Sequence, residues 1–274
     1  MDNNYNIGIF DSGFGGLTVL KEIEKVLPDY NYIYLGDNAR APYGNRSFET
    51  VYKYTFEAVQ KLFDMNCNLI ILACNTASAK ALRTIQQKDL TQLGTGKRVL
   101  GVIRPSTETV EIVSKTKHIG ILGTVGTVKS ESYVIEIKKM YPHLSVEQEA
   151  CPMWVPLVEN DEYLNEGADY YIKKNIDNLL SKDPKIDTII LGCTHYPLLL
   201  KKIKKYTPKG ITIVNQGEIV AKSLKDYLFR HPELESKCLK NTERHFFTTD
   251  STEIFDVMGS KFLEKKINSQ KITL

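Results

Sequence analysis

The sequence has no apolar run approaching the roughly 20 residues that a membrane-spanning helix needs. It has no CxxC pair. Its five cysteines, Cys67, Cys74, Cys151, Cys193 and Cys238, are odd in number and irregularly spaced, which argues against a zinc ribbon or a redox dithiol. A large charge of one sign is also missing. Thirty-six Lys and Arg face 33 Asp and Glu, interspersed throughout, for a formal net charge of +3, and this balance gives no support to nucleic-acid binding. The densest basic run, residues 201–205, reads with Leu198, Leu199, Ile203 and Tyr206 as the solvated side of an amphipathic helix. The glycine loop at 11–16 lacks the third glycine of a dinucleotide fingerprint, since Thr18 stands there, and no Gly-Lys-Ser/Thr follows, so a nucleotide is not expected. The first ten residues carry no basic region leading into a long apolar core. The expected location is therefore cytoplasmic, with free thiols and no membrane partner.

What is present is a repeated plan. Residues 69–79 read LIILACNTASA: an apolar run short enough for a buried strand, then Cys74, Asn75 and Thr76, then a helical segment. Residues 188–200 read TIILGCTHYPLLL, with Cys193, Thr194 and His195 after a similar run and Pro197 placed to open a helix. A thiol at the carboxyl end of a central strand, one step before a helix N-terminus, sits where α/β sheets bind ligands. There the helix dipole favours thiolate.

Taken in order, the chain alternates strand and helix. Strands are expected at 7–10, 32–35, 69–73 and 99–103, and again at 119–122, 144–149, 188–192, 211–214 and 245–248. Helices are expected at 17–27, 48–63, 77–87, 128–140, 166–180, 218–229 and 251–263. Residues 151–156 read as a loop ending near Glu159, and Lys80 and Lys129 as solvent-facing helical lysines. Each half contains a strand with a glycine-rich loop, a strand with a Pro-containing loop bearing a carboxylate (Asp37, Glu159), and a strand ending in cysteine. The offsets, 112, 122 and 119 residues, suit duplicated α/β domains rather than a solenoid.

Two such domains facing each other bring both thiols to one cleft. One thiolate can then remove a Cα proton while the opposite thiol supplies another, which inverts a stereocentre. Cysteine, with an ordinary pKa of about 8.5, is suited to that exchange near neutrality. Ser12, Asn75, Thr76 and Thr194 are candidate donors to a substrate carboxylate. Asp11, Asp37 and Glu159 could hold an ammonium group or assist proton transfer, and His195 could favour the Cys193 thiolate. Against this, Asp11 could merely cap a helix, Asp37 and Glu159 could be surface charges, and Thr76 and Thr194 could be simple caps. Cys67 and Cys238 read as small buried hydrophobes, and Cys151 as structural.

Six segments, GIFDSGFGGLTVL, YLGDNARAPYG, ACNTASA, GTVGTVKS, CPMWVPLVE and LGCTHYPLL, resemble those of the cofactor-independent aspartate/glutamate racemase superfamily, in its order and over nearly the whole chain. The resemblance is to its glutamate racemases. It implies an α/β fold of two similar, doubly wound, mainly parallel domains related by a pseudo-twofold, with the site between them. Residues 1–98 and 213–274 would form one domain and 99–212 the other. It implies interconversion of L- and D-glutamate, supply of D-glutamate for peptidoglycan, no cofactor, no metal and a homodimer. At matching positions Cys74 and Cys193 are the proton-transfer residues, Cys74 acting on D-glutamate and Cys193 on L-glutamate. Asp11, Ser12, Pro42, Tyr43, Gly44, Asn75, Thr76, Thr124, Thr127, Thr194 and His195 are substrate contacts, with Asp11, Asp37, Glu159 and His195 supporting the chemistry. Arg104 and the Asn215-Gln216-Gly217 segment depart from the family's usual residues. Aspartate as substrate, or a non-catalytic amino-acid-binding module, are the competing expectations.

Overall fold

The computed structural model describes residues 4–94 and 96–274. The chain runs β1 (Ile7–Asp11), α1 (Leu17–Val26), β2 (Tyr32–Gly36), α2 (Phe48–Asp64), β3 (Leu69–Leu72), α3 (Asn75–Lys80), α4 (Leu82–Thr84), α5 (Leu90–Leu93) and β4 (Arg98–Gly101). It continues with α6 (Ile103–Val113), β5 (His118–Gly123), α7 (Val125–Lys129), α8 (Ser132–Met140), β6 (Ser145–Ala150), α9 (Trp154–Glu159), α10 (Glu166–Lys182), β7 (Thr188–Gly192), α11 (Leu200–Tyr206) and β8 (Thr212–Val214). It ends with α12 (Gln216–Arg230), α13 (Pro232–Glu235), β9 (Arg244–Thr248), α14 (Thr252–Leu263) and β10 (Ser269–Lys271).

The strands form two sheets, ordered β10-β9-β2-β1-β3-β4 and β6-β5-β7-β8, with every pairing parallel. Helices cover both faces, so β1, β2, β3 and β7 are buried along their whole length. That is why they read as continuous apolar runs rather than alternating ones. Counted within each half, four strands take the same order, 2-1-3-4. In both sheets the chain leaves the first strand toward one edge and returns to build toward the other. The crevice outside the carboxyl ends at that switch is a ligand site. Cys74 follows β3 and Cys193 follows β7, the equivalent strands.

Both expected domain boundaries cut strands. Arg98–Gly101 pairs with β3, so residues 99–101 belong to the first sheet. Thr212–Val214 pairs with β7, so residues 213 and 214 belong to the second. Strand pairing decides this where composition could not, and we propose division after 101 and after 214. Other differences have local causes. Residues 154–159, expected as loop, are α9, because Pro156 sits in the first helical turn, where no N–H is needed. Pro105 is likewise tolerated in the first turn of α6, which the sequence reading left unassigned. The helix after Cys74 is not continuous: it breaks at Ala81 and includes a π-turn at Ile85–Asp89. Lys80 is buried rather than solvent-facing; its ammonium donates to the Arg46 carbonyl at 2.7 Å. Lys129 is exposed. No helix among the described residues is long and apolar enough to cross a membrane.

Candidate active site

The two strand-end thiols line one cleft. Its volume is about 50 Å³, and its walls include Ser12, Tyr43, Asn75 and Thr76 from one side and Thr124, Glu159, Thr194 and His195 from the other. Pro42 and Gly44 also border it. A larger cavity of about 740 Å³ is lined by Leu82, Ile103, Arg104 and Tyr227 and contains none of the candidate residues; Arg104 itself is mostly exposed and pairs with Glu108 at 2.9 Å.

Cys74 occupies the N-cap of α3, where its sulfur accepts from the Ala77 N–H at 3.4 Å and lies 3.4 Å from the Ser12 hydroxyl. Burial, then the neighbouring Asp11 charge, push its pKa up to about 12, against the pull of the Ser12 and Ala77 hydrogen bonds. At neutral pH Cys74 is therefore a protonated thiol. The dipole argument from sequence gave the opposite tendency; burial outweighs it.

Cys193 has a different neighbour. His195 Nδ1 lies 3.9 Å from its sulfur, and His195 Nε2 lies 3.1 Å from Glu159 Oε1. Burial alone would lower the imidazole pKa, but Cys193 and Glu159 outweigh it and raise it to about 10. The ring is thus cationic at neutral pH. Because the folded pKa lies above the ordinary value of 6.5, the linked stabilisation is fully present below that value and is lost as pH rises through about 10. Nitrogen-15 NMR of labelled histidine should show this ring titrating near pH 10, and Cys193→Ser should lower that midpoint more than Glu159→Gln does.

The first loop meets the second half at close range. A Cβ added at Gly15 would lie 2.2 Å from Thr194 Oγ1 and 2.6 Å from His195 Nδ1. Thr18, standing where a third fingerprint glycine would be, donates to the carbonyls of Gly15 at 2.8 Å and Thr194 at 3.0 Å. The threonines form a second seam: Thr76 and Thr124 hydroxyls are 3.0 Å apart, as are those of Thr124 and Thr127. Thr124 also caps α7 by accepting from the Thr127 N–H.

Three of the candidate residues stand behind the cleft wall rather than on it. Asp11 is fully buried; it accepts from the Gly13 N–H at 2.9 Å and from Thr194 Oγ1 at 3.4 Å, and burial raises its pKa while the His195 charge opposes this. Asp37 is also fully buried, but its oxygens are engaged by Arg40, the Tyr43 hydroxyl and Thr249. It accepts from the hydroxyl of Tyr43, a cleft residue, and is not itself among the residues lining the cleft. The Thr127 hydroxyl lies 3.4 Å from that of Thr76 and 3.0 Å from that of Thr124. Conversely, Cys151, read as structural, lines the cleft together with Val125, Pro152, Val155 and Pro156. Cys151 follows β6, the counterpart of β2, so the repeat itself was the signal. Cys67 and Cys238 are buried away from it. Among the described residues, no three His, Cys, Asp or Glu are gathered to hold a metal ion.

The chain is similar over most of its length to known proteins. The family described as Asp/Glu/hydantoin racemase matches residues 7–224. A glutamate racemase of Listeria monocytogenes is 40% identical over 258 residues, covering 94% of this chain and 93% of its own. The crystal structure of the Bacillus anthracis glutamate racemase isoform RacE1 superposes with a TM-score of 0.88 at 36% identity, covering 98% of each chain. That of the Francisella tularensis glutamate racemase in complex with D-glutamate gives 0.86 at 29% identity, covering 99% of this chain and 98% of the other. With two sheets of one strand order and a cysteine at the end of each equivalent strand, the chain belongs to the Asp/Glu/hydantoin racemase family.

Proposed function

We propose that this protein interconverts L- and D-glutamate by proton transfer between Cys74 and Cys193 on opposite faces of the substrate Cα. The observation that carries this is the placement of both thiols on one cleft, each at the carboxyl end of the equivalent strand of its sheet. A single-base enzyme has no need of the duplication. Two-base inversion does, because each thiol must serve as acid in one direction and as base in the other.

The protonated state of Cys74 suits its role as acid in one direction of that cycle. Cys74 holds a proton to give. Across the cleft, the Cys193 sulfur lies 3.9 Å from His195 Nδ1, and Glu159 Oε1 lies 3.1 Å from the far ring nitrogen. Return from the other enantiomer requires Cys74 to become the base, and a substrate ammonium nearby would offset the Asp11 charge that now opposes its ionisation. The carbanion formed at Cα needs its carboxylate held by donors in a site shielded from water. Ser12, Asn75, Thr76, Thr124 and Thr194 supply hydroxyl and amide donors, with Tyr43 and Gly44 closing over them. No cofactor enters this scheme. Glutamate is favoured over aspartate because the similar relatives are glutamate racemases and the Francisella structure holds D-glutamate.

Supply of D-glutamate for peptidoglycan by a cytoplasmic homodimer, with neither nucleic acid nor membrane as partner, completes the proposal. The test is circular dichroism of L-glutamate and of L-aspartate incubated with the purified protein and nothing else. Loss of signal is expected for glutamate at a rate at least a hundredfold above that for aspartate. A faster loss with aspartate would overturn the substrate assignment, and no loss with either would overturn the activity.

A further inference from the structure

We infer that Gln216, which does not line the cleft, is a positioning residue that fixes the side chain of Asn75. The inference rests on the racemase reading above. Three buried side chains close a hydrogen-bonded ring. Asn75 Nδ2 donates to Gln216 Oε1 at 2.7 Å, Gln216 Nε2 donates to the Tyr133 hydroxyl at 2.5 Å, and that hydroxyl donates to Asn75 Oδ1 at 2.6 Å. Gln216 uses its second amide hydrogen on Ser106 Oγ at 2.8 Å. The Ser106 hydroxyl in turn donates to the Val102 carbonyl at 2.9 Å.

The Ser106 hydroxyl, committed to the Val102 carbonyl, leaves Gln216 Nε2 as the donor on that side and so sets the direction of the ring. Turning the Gln216 amide alone would set N–H against N–H, and turning the Asn75 amide alone would set oxygen against oxygen; a buried unpaired amide costs more than the bond it loses. Asn75 is therefore held in one orientation. One of its amide hydrogens is spent on Gln216, and the other has no protein acceptor among the described residues. Asn75 borders the cleft directly after Cys74, so that remaining hydrogen is the donor the ring presents to a ligand.

The ring also sits where the chain passes between the sheets. Val102 follows β4, and Gln216 follows β8 by two residues. Asn75 belongs to the first sheet's helices, while Tyr133 lies on α8 beside the second. The Gln216–Tyr133 bond crosses between the halves, so a rotation of one against the other bears on it directly. Gln216 thereby ties the orientation of a substrate-facing amide to the relative placement of the two halves.

A mutant cycle on the full-length enzyme tests this. Gln216→Met keeps length and removes the hydrogen bonds; it should raise KM for glutamate about tenfold and lower kcat less than threefold. Asn75→Ala should raise KM at least as much. If Gln216 acts through Asn75, adding Gln216→Met to Asn75→Ala raises KM less than twofold further; a purely structural role multiplies the two effects. Tyr133→Phe, which removes another corner of the ring, is run through the same cycle and decides the matter if Gln216→Met does not fold. A KM within threefold of native in the single variants, or full multiplication in the doubles, overturns the inference. A native enzyme inactive on glutamate would instead overturn the functional reading and is seen in the same series.

Discussion

Cys74→Ala and Cys193→Ala should each lower kcat/KM for glutamate racemisation by at least about a thousandfold, or roughly 4 kcal/mol of transition-state stabilisation. General acid–base groups contribute about 10²–10⁴ each, and here the removed group must act in every turnover whichever enantiomer enters. The two enantiomers have equal free energies in water, so the equilibrium constant is one. Each variant must then lose the same factor in kcat/KM in both directions, even where kcat and KM change separately. Both sulfurs are buried, and removing one leaves only a small void, costing about 1 kcal/mol. Folding should survive, and thermal melting within a few degrees of native would show it. A variant that keeps more than a tenth of native kcat/KM removes that thiol from the mechanism.

The second large effect needs no change to a reacting group. Gly15→Ala should reduce kcat/KM about a hundredfold while leaving both thiols in place. The added methyl would fall on Thr194 Oγ1 and the His195 ring, and neither can give way freely. Thr18 holds the Thr194 carbonyl, Glu159 holds the far ring nitrogen, and Phe262 packs edge-on against the ring with centroids 5.3 Å apart. The segment bearing Cys193 must move instead. A displacement near 1 Å at a reacting group can cost about a hundredfold. Overpacking should also destabilise the fold by about 1–3 kcal/mol. Gly94, where an added Cβ meets nothing within 4 Å but φ is +104°, is not an equivalent control; Gly167, with open space and no such φ, is. Gly167→Ala should leave activity unchanged.

These two variants probe different layers of what the residues make legible. Apolar runs between turn residues placed β1, β2, β3 and β7 to within about a residue, because strands buried on both faces have no polar positions to confuse the pattern. The paired cysteines located the cleft because strand ends in α/β sheets converge on one crevice. Less legible were features decided by packing. Prolines at 105 and 156 read as breaks, yet both sit in first helical turns. The 98/99 and 212/213 boundaries fell inside strands, because edge pairing sets the sheets. Asp37 looked equivalent to Glu159 by its place in the repeat, but only Glu159 reaches the cleft, since Arg40, Tyr43 and Thr249 claim Asp37. Gln216 stood out only as a departure from the family's usual residues and Tyr133 not at all; only the folded chain brings them to Asn75.

The most direct test of two facing thiols is the isotope pattern at early conversion in deuterated water. L-glutamate is incubated with the enzyme and stopped below a tenth of conversion, and the two enantiomers are separated for mass spectrometry. A proton taken by one sulfur and a deuteron delivered by the other should leave the D-glutamate fully labelled at Cα and the recovered L-glutamate unlabelled. Product that keeps its original hydrogen, or substrate labelled as fast as product forms, would mean that one base works both faces and would contradict the paired-thiol mechanism.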